Sequence, residues 1–174
     1  MVAVGLGWLL GDPPAQRIQW TLEGATYGLV ATFPLIAVVW ICLRSGWRPL
    51  RGIMEVLDEK VVPFFRNCRV WELAGIATFA GFGEELLFRG VIQNSLASLF
   101  SGELGSCVGL VAASILFGLL HWLTLAYAIL ATSVGLYLGG LWVITDNLLV
   151  PAVVHALYDF WALIYLLKIH RNRG

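Results

Sequence analysis

Five stretches of this chain are so long and so apolar that they leave it little choice of environment. They run from about residue 21 to 43, 71 to 100, 107 to 122, 126 to 144 and 148 to 167. A helix needs about 20 apolar residues to cross the roughly 30 Å hydrocarbon core of a bilayer. Lipid offers the backbone no hydrogen bonds, so a spanning segment must satisfy its own, as a helix does. The expected fold class is therefore all-α, a polytopic membrane helix bundle of about five spanning helices in a single domain. Composition points the same way. The chain is 59% hydrophobic and 13% charged, with a mean hydropathy of +0.82, against about 25% charge in soluble domains.

The segments between and within these stretches carry their own signals. The second stretch is longer than the bilayer core, so it must tilt or project. Pro34 predicts a kink in the first, and Pro151 falls in the first turn of the fifth, just after the turn signal "TDN". Residues 44–70 form a polar connector in which Leu50, Ile53, Met54 and Leu57 recur at helical spacing, predicting an amphipathic helix on the membrane surface. Residues 1–20 make a short N-terminal segment, embedded or interfacial. Its opening "MVAVGLGWLLGDPP" lacks the basic region and small-residue cleavage site of a signal peptide. Residues 71–167 remain as the helical core, and no internal repeat or low-complexity tract interrupts it.

Charge placement orients the bundle. Arg44, Arg48, Arg51, Lys60, Arg66 and Arg69 lie in the connector and Lys168, Arg171 and Arg173 in the tail, while the turns near Gly102 and Asp146 carry no Lys or Arg. The positive-inside rule puts connector, C-terminus and the turn near Leu123 on the cytoplasmic side. A bacterial inner membrane is the expected location. Eleven basic and eleven acidic residues cancel, and no basic stripe suggests a nucleic-acid partner. Cys42, Cys68 and Cys107 have no paired spacing and read as packing residues.

Against this background "GFGEELLFRGVIQ", residues 81–93, is anomalous. An ionisable group at bilayer depth costs about 3 kcal/mol on insertion scales, so such groups face a protein interior or a wet cavity. At about 100° per residue, Glu85 and Arg89 share one helix face and Glu84 sits beside Glu85. A Glu–Arg staple between helices accounts for one glutamate and the arginine, and leaves the other glutamate unexplained. Two further apolar stretches carry ionisable groups: "FGLLH", with His121 one turn after Phe117, and "HALYD", with His155 and Asp159 one turn apart. Convergence of Glu84, Glu85, Arg89, His121, His155 and Asp159 on one interior pocket is the economical way to lower their combined cost.

Together the three motifs resemble those of the CPBP intramembrane proteases, the group that includes the CAAX prenyl endopeptidases and bacteriocin-processing proteins. "EELLFR" is similar to EExxxR, "FGLLH" to FxxxH and "HALYD" to HxxxN/D, in the family's order over roughly residues 71–167. The resemblance implies peptide hydrolysis by a glutamate-activated water, with Glu84 as base. The residues allow that chemistry. Hydrolysis needs a base for water, donors for the oxyanion and an acid for the leaving amine, and a carboxylate in an apolar cavity can be the base. Glu84 or Glu85 with His121 nearby suits the polarising of one water; in the reading the resemblance implies, His121 orients that water and His155 and Asp159 hold the oxyanion. Asp159 stands where the eukaryotic prenyl proteases have asparagine, and it donates only when protonated or through water. Arg89 fixes the carboxylates, with Glu85 its partner by spacing. Ser95, Ser114 and Cys107 have no paired base, which disfavours an acyl-enzyme. Two histidines and two carboxylates also suffice for zinc, but there is no HExxH and Arg89 would compete for a carboxylate, so neither metal nor cofactor is expected.

The remaining features read as architectural. Gly135 and Gly139 form a G-xxx-G pair that permits close helix approach within the monomer, and Trp20, Trp47, Trp71, Trp122 and Trp142 lie near span ends as an interfacial belt. His170 belongs to the basic tail. The expected activity is an intramembrane endopeptidase acting on a hydrophobic or lipid-anchored peptide; a peptide-binding immunity protein, a zinc-dependent intramembrane protease and a proton-coupled transporter are the alternatives. Nothing in the sequence sets an oligomeric state.

Overall fold

The computed structural model describes residues 2–9, 11–44 and 46–171. Arg173 and the side chains of Cys42, His170 and Arg171 lie outside the described part. Among the described residues all regular structure is helical: α1 (Val2–Leu9), a 3₁₀ turn (Pro14–Arg17), α2 (Leu22–Arg44), α3 (Arg48–Lys60), α4 (Val62–Phe65), α5 (Val70–Glu85), a π-helical segment (Leu86–Gln93), α6 (Asn94–Ala97), α7 (Gly102–Leu120), α8 (Leu125–Thr145) and α9 (Leu149–Arg171). The protein is an all-α membrane helix bundle. Four helices, α2, α7, α8 and α9, are long and apolar enough to cross a bilayer. Their outward faces carry exposed Leu29, Val30, Phe33, Ile115, Leu119 and Ile129, as lipid-facing surfaces do.

The second stretch, residues 71–100, is composite rather than a uniform span. α5, the π segment and α6 form an unbroken helical run over residues 70–97, with the charged residues at the α-to-π junction. π-helical segments inside α-helices recur at functional sites. Here the junction turns Glu85 and Arg89 fully inward, at 0% and 1% exposure. α7 starts at Gly102, about a turn earlier than its apolar residues suggested. Gly102 takes φ +63°, open to glycine, and Glu103 occupies the first turn, where the helix dipole favours an acid.

Small residues set the helix spacing. α5 packs on α9 and α7 on α8. A Cβ at Gly81 would lie 2.6 Å from the Ala156 backbone nitrogen, so the α5–α9 approach requires glycine there. Gly135 and Gly139 face Ser114, Leu110 and Gln93, so the G-xxx-G face is used inside the monomer. α3 is amphipathic: Ile53 is buried, Leu50, Met54 and Leu57 are half-buried, and Arg51, Glu55, Glu59 and Lys60 are exposed. Trp20, Trp47, Trp71 and Trp122 are exposed, but Trp142 is buried at 6%. It does not join an interfacial belt, because the N-terminal strap folds over it and sets Arg17 5.8 Å from its ring.

That strap ties one end of the bundle together. Asn147, in the α8–α9 turn, accepts from the Gln19 backbone N–H at 3.0 Å and donates to the Gln19 carbonyl at 3.0 Å. The Leu148 N–H donates to the Arg17 carbonyl at 3.0 Å. Asp146 takes a left-handed φ of 45° to make the turn, a conformation that aspartate tolerates better than most residues.

Candidate active site

The six ionisable residues singled out above come together at the end of the bundle where α7 stops and α8 begins. They form two layers. The inner layer is buried: Arg89 Nε lies 3.1 Å from Glu85 Oε2, and His155 Nδ1 lies 2.8 Å from Glu85 Oε1. Glu85 is thus held by a cation on one oxygen and an imidazole on the other. Arg89 also donates from Nη2 to the Gly135 carbonyl at 2.9 Å. Its Nε is close enough to Glu85 for a charge pair but is not aligned as a hydrogen bond.

The outer layer is Glu84, His121 and Asp159, with side chains 34%, 30% and 31% exposed. Glu84 Oε2 is turned inward, 3.6 Å from His121 Nε2 and 3.9 Å from His155 Nε2. Asp159 Oδ2 lies 3.5 Å from His155 Nε2. Such spacings suit a bridging water better than direct bonds. His121 Nδ1 is 2.8 Å from the Phe117 carbonyl. A carbonyl only accepts, so Nδ1 carries a proton and Nε2 is the ring nitrogen turned toward Glu84. Glu85 fixes His155 in the same sense.

Phe117, the first residue of "FGLLH", explains the spacing of that motif. Its ring stacks on His121 at 4.3 Å, meets Phe88 edge-on at 4.9 Å and His155 at 5.8 Å, and lies 5.1 Å from the Arg89 guanidinium carbon. One aromatic ring therefore positions both histidines and covers the buried cation. A cavity of about 130 Å³ opens between His121, His155, Asp159, Tyr127 and Tyr158. It shares Tyr127, Tyr158 and Asp159 with an apolar groove of about 280 Å³ walled by Ile53, Met54 and Leu57 of α3. The two tyrosines were missed in the sequence, since an aromatic residue in an apolar helix carries no mark of which face it takes. Gln93 was missed too, although it continues the four-residue spacing from Glu85 through Arg89. Among the described residues no group of three His, Cys, Asp or Glu side chains is arranged to hold a metal ion.

A multi-pass helical bundle whose buried carboxylate–imidazole cluster faces an internal cavity defines a class, the membrane-embedded enzymes that handle apolar substrates. The family model described as type II CAAX prenyl endopeptidase Rce1-like matches residues 66–161, more than half of the chain, and the chain belongs to that family. At family level it is an intramembrane CAAX-type protease, and its substrate is membrane-associated. All six residues of the cluster fall within the matched region. No curated protein and no solved structure matches the chain.

Proposed function

We propose that the protein hydrolyses a peptide bond in a hydrophobic or lipid-anchored peptide, using Glu84 as general base on a water. One observation carries this reading: Glu85 is locked between Arg89 and His155, whereas Glu84 points its Oε2 at the Nε2 atoms of both histidines. Of the two adjacent glutamates, Glu84 is the one free to take a proton and return it.

In this mechanism a water held between Glu84 and His121 loses a proton to Glu84 as its oxygen attacks the scissile carbonyl carbon. The C=O π electrons move to oxygen, and the oxyanion is held by His155, which in its doubly protonated form offers Nε2–H, and by Asp159 when protonated or through water. Collapse of the tetrahedral species breaks the C–N bond, and Glu84 passes its proton to the leaving amine. Arg89 and Glu85 touch no substrate; they hold His155 in place. The apolar groove beside α3 accepts the substrate's lipid-soluble part. The positive-inside pattern of the connector supports a cytoplasmic position for this end of the bundle.

Glu84→Gln keeps size and polarity but cannot accept a proton. Cleavage of a membrane peptide should fall on the order of 10²–10⁴-fold, with substrate still bound and the protein monodisperse in detergent. His121→Ala should lose cleavage as well. Full cleavage by Glu84→Gln would overturn the base assignment, and peptide bound but never cut by the unmutated protein would favour a binding role. Because no step requires a metal, exhaustive chelation should leave the rate unchanged; a loss restored by stoichiometric zinc would refute that.

A further inference from the structure

At the end of the bundle opposite the catalytic cluster lies a second polar cavity. It measures about 190 Å³ and is lined by Arg17, Gln93, Asn94, Ser106, Trp142 and Asp146. Tyr127 and Trp142 of α8 mark the two ends, roughly 22 Å apart at 1.5 Å per residue. Such a space is large enough for several waters. The hydrolysis proposed above uses none of it.

Its floor is Gln93, which is 2% exposed. Gln93 Nε2 donates to the Gly139 carbonyl at 3.2 Å, as Arg89 Nη2 donates to the Gly135 carbonyl one turn away. The G-xxx-G pair of α8 thus presents two successive carbonyls to two successive polar side chains. Each of those side chains has a second polar atom with no partner in the protein, an acceptor at Gln93 Oε1 and a donor at Arg89 Nη1. Arg17 Nε, at the cavity wall, is a further unpartnered donor. A buried polar atom left unpaired costs about 1–3 kcal/mol, and orphans of both kinds in sequence call for a small ligand that donates and accepts. Water is that ligand.

We propose that the cavity is a water-holding vestibule on the face opposite the catalytic cluster, and that Gln93 passes its water inward to Arg89 and Glu85. This rests on the hydrolytic reading for its purpose. An apolar peptide seated in the groove and cavity beside Tyr127 and Tyr158 blocks water from that end, yet each cleavage consumes one water. Supply from behind the cluster removes the conflict. Gln93 is a positioning residue in this scheme, acting through the water it holds.

The test reads hydration without requiring catalysis. Single cysteines are placed at Ser106 and Gln93 in a Cys42→Ser, Cys68→Ser, Cys107→Ser background, and Ag⁺ is added to the face opposite the cluster in proteoliposomes. Thiols react as thiolates, which need water, so both positions should be blocked against later maleimide labelling. Failure at either position overturns the proposal. In the unmutated protein, radiolytic hydroxyl labelling should oxidise buried Trp142 well above buried Phe88 after correction for intrinsic reactivity and exposed area; equal labelling overturns it. For turnover, Gln93→Met preserves volume and should lower kcat about tenfold at unchanged KM, while Gln93→Asn, which keeps both an amide donor and an amide acceptor, recovers part of the loss. A purely packing role predicts no loss in Gln93→Met. A wet vestibule alongside full activity in Glu84→Gln would instead refute the base assignment and leave the vestibule standing.

Discussion

At the scale of single residues, the adjacent glutamates differ by environment rather than chemistry. Glu85 is 0% exposed and ion-paired; Glu84 is 34% exposed and faces the imidazoles. Arg89→Leu would leave the Glu85 carboxylate buried without its cation, which costs about 3–5 kcal/mol. The expected result is a clear fall in the thermal unfolding midpoint in detergent, partly recovered in the double variant Glu85→Gln, Arg89→Leu. A midpoint unchanged in Arg89→Leu would show that the pair contributes nothing. The cluster's membership was legible because ionisable residues are rare in apolar helices. The Glu85–Arg89 pair was legible from its four-residue spacing; which histidine meets which glutamate was not, since neighbouring side chains on a helix point about 100° apart and only the packed partner helices say what each one meets.

At the scale of elements, the site depends on how closely α5 approaches α9. Gly81 stands one turn before Glu85, and Ala156 follows His155, so the glycine contact and the 2.8 Å Glu85–His155 contact are parts of one interface. Gly81→Leu should separate the two helices and cut activity at least about tenfold with helical content by circular dichroism retained. Gly83→Leu is the matched control: a side chain there meets open space and should leave activity near the unmutated level. Equal losses in both variants would refute the interface argument. Helix identity was readable from apolar length, and α3 from its alternation of Ile53 and Leu57 with Glu55 and Glu59. The π segment was not, because winding from 3.6 toward a wider turn leaves no compositional trace. The early start of α7 was hidden by "SGELGS", whose turn residues mask a helix that begins inside them.

At the scale of the whole molecule, the N-terminal strap joins distant parts of the chain. Asp12 accepts from Arg17 at 2.7 Å and from Asn94 at 2.9 Å, tying the strap to the end of the π segment. The hydrogen bond from Arg17 holds the Asp12 carboxyl below its ordinary value of 3.8. A depressed folded pKa contributes stability that is fully present above the unfolded value and is lost as pH falls through the folded one. The stability advantage over Asp12→Asn should therefore be constant from pH 7 to about pH 5 and shrink below about pH 4, read as the difference in unfolding midpoints. A difference that grew on acidification would contradict the assignment.

The sequence by itself determined the solvent and the cast of residues. Runs of about 20 apolar residues have no other stable home than a bilayer, and polar groups too costly to leave in lipid announce themselves by type and spacing. Only the tertiary structure decided that His155 takes the second oxygen of Glu85 and leaves Glu84 open, that Trp142 is buried rather than interfacial, and that Gln93 floors a second polar cavity. Those outcomes depend on contacts between helices far apart in the chain, where a glycine at one position sets the distance between side chains at another. Local periodicity carries no record of such distances.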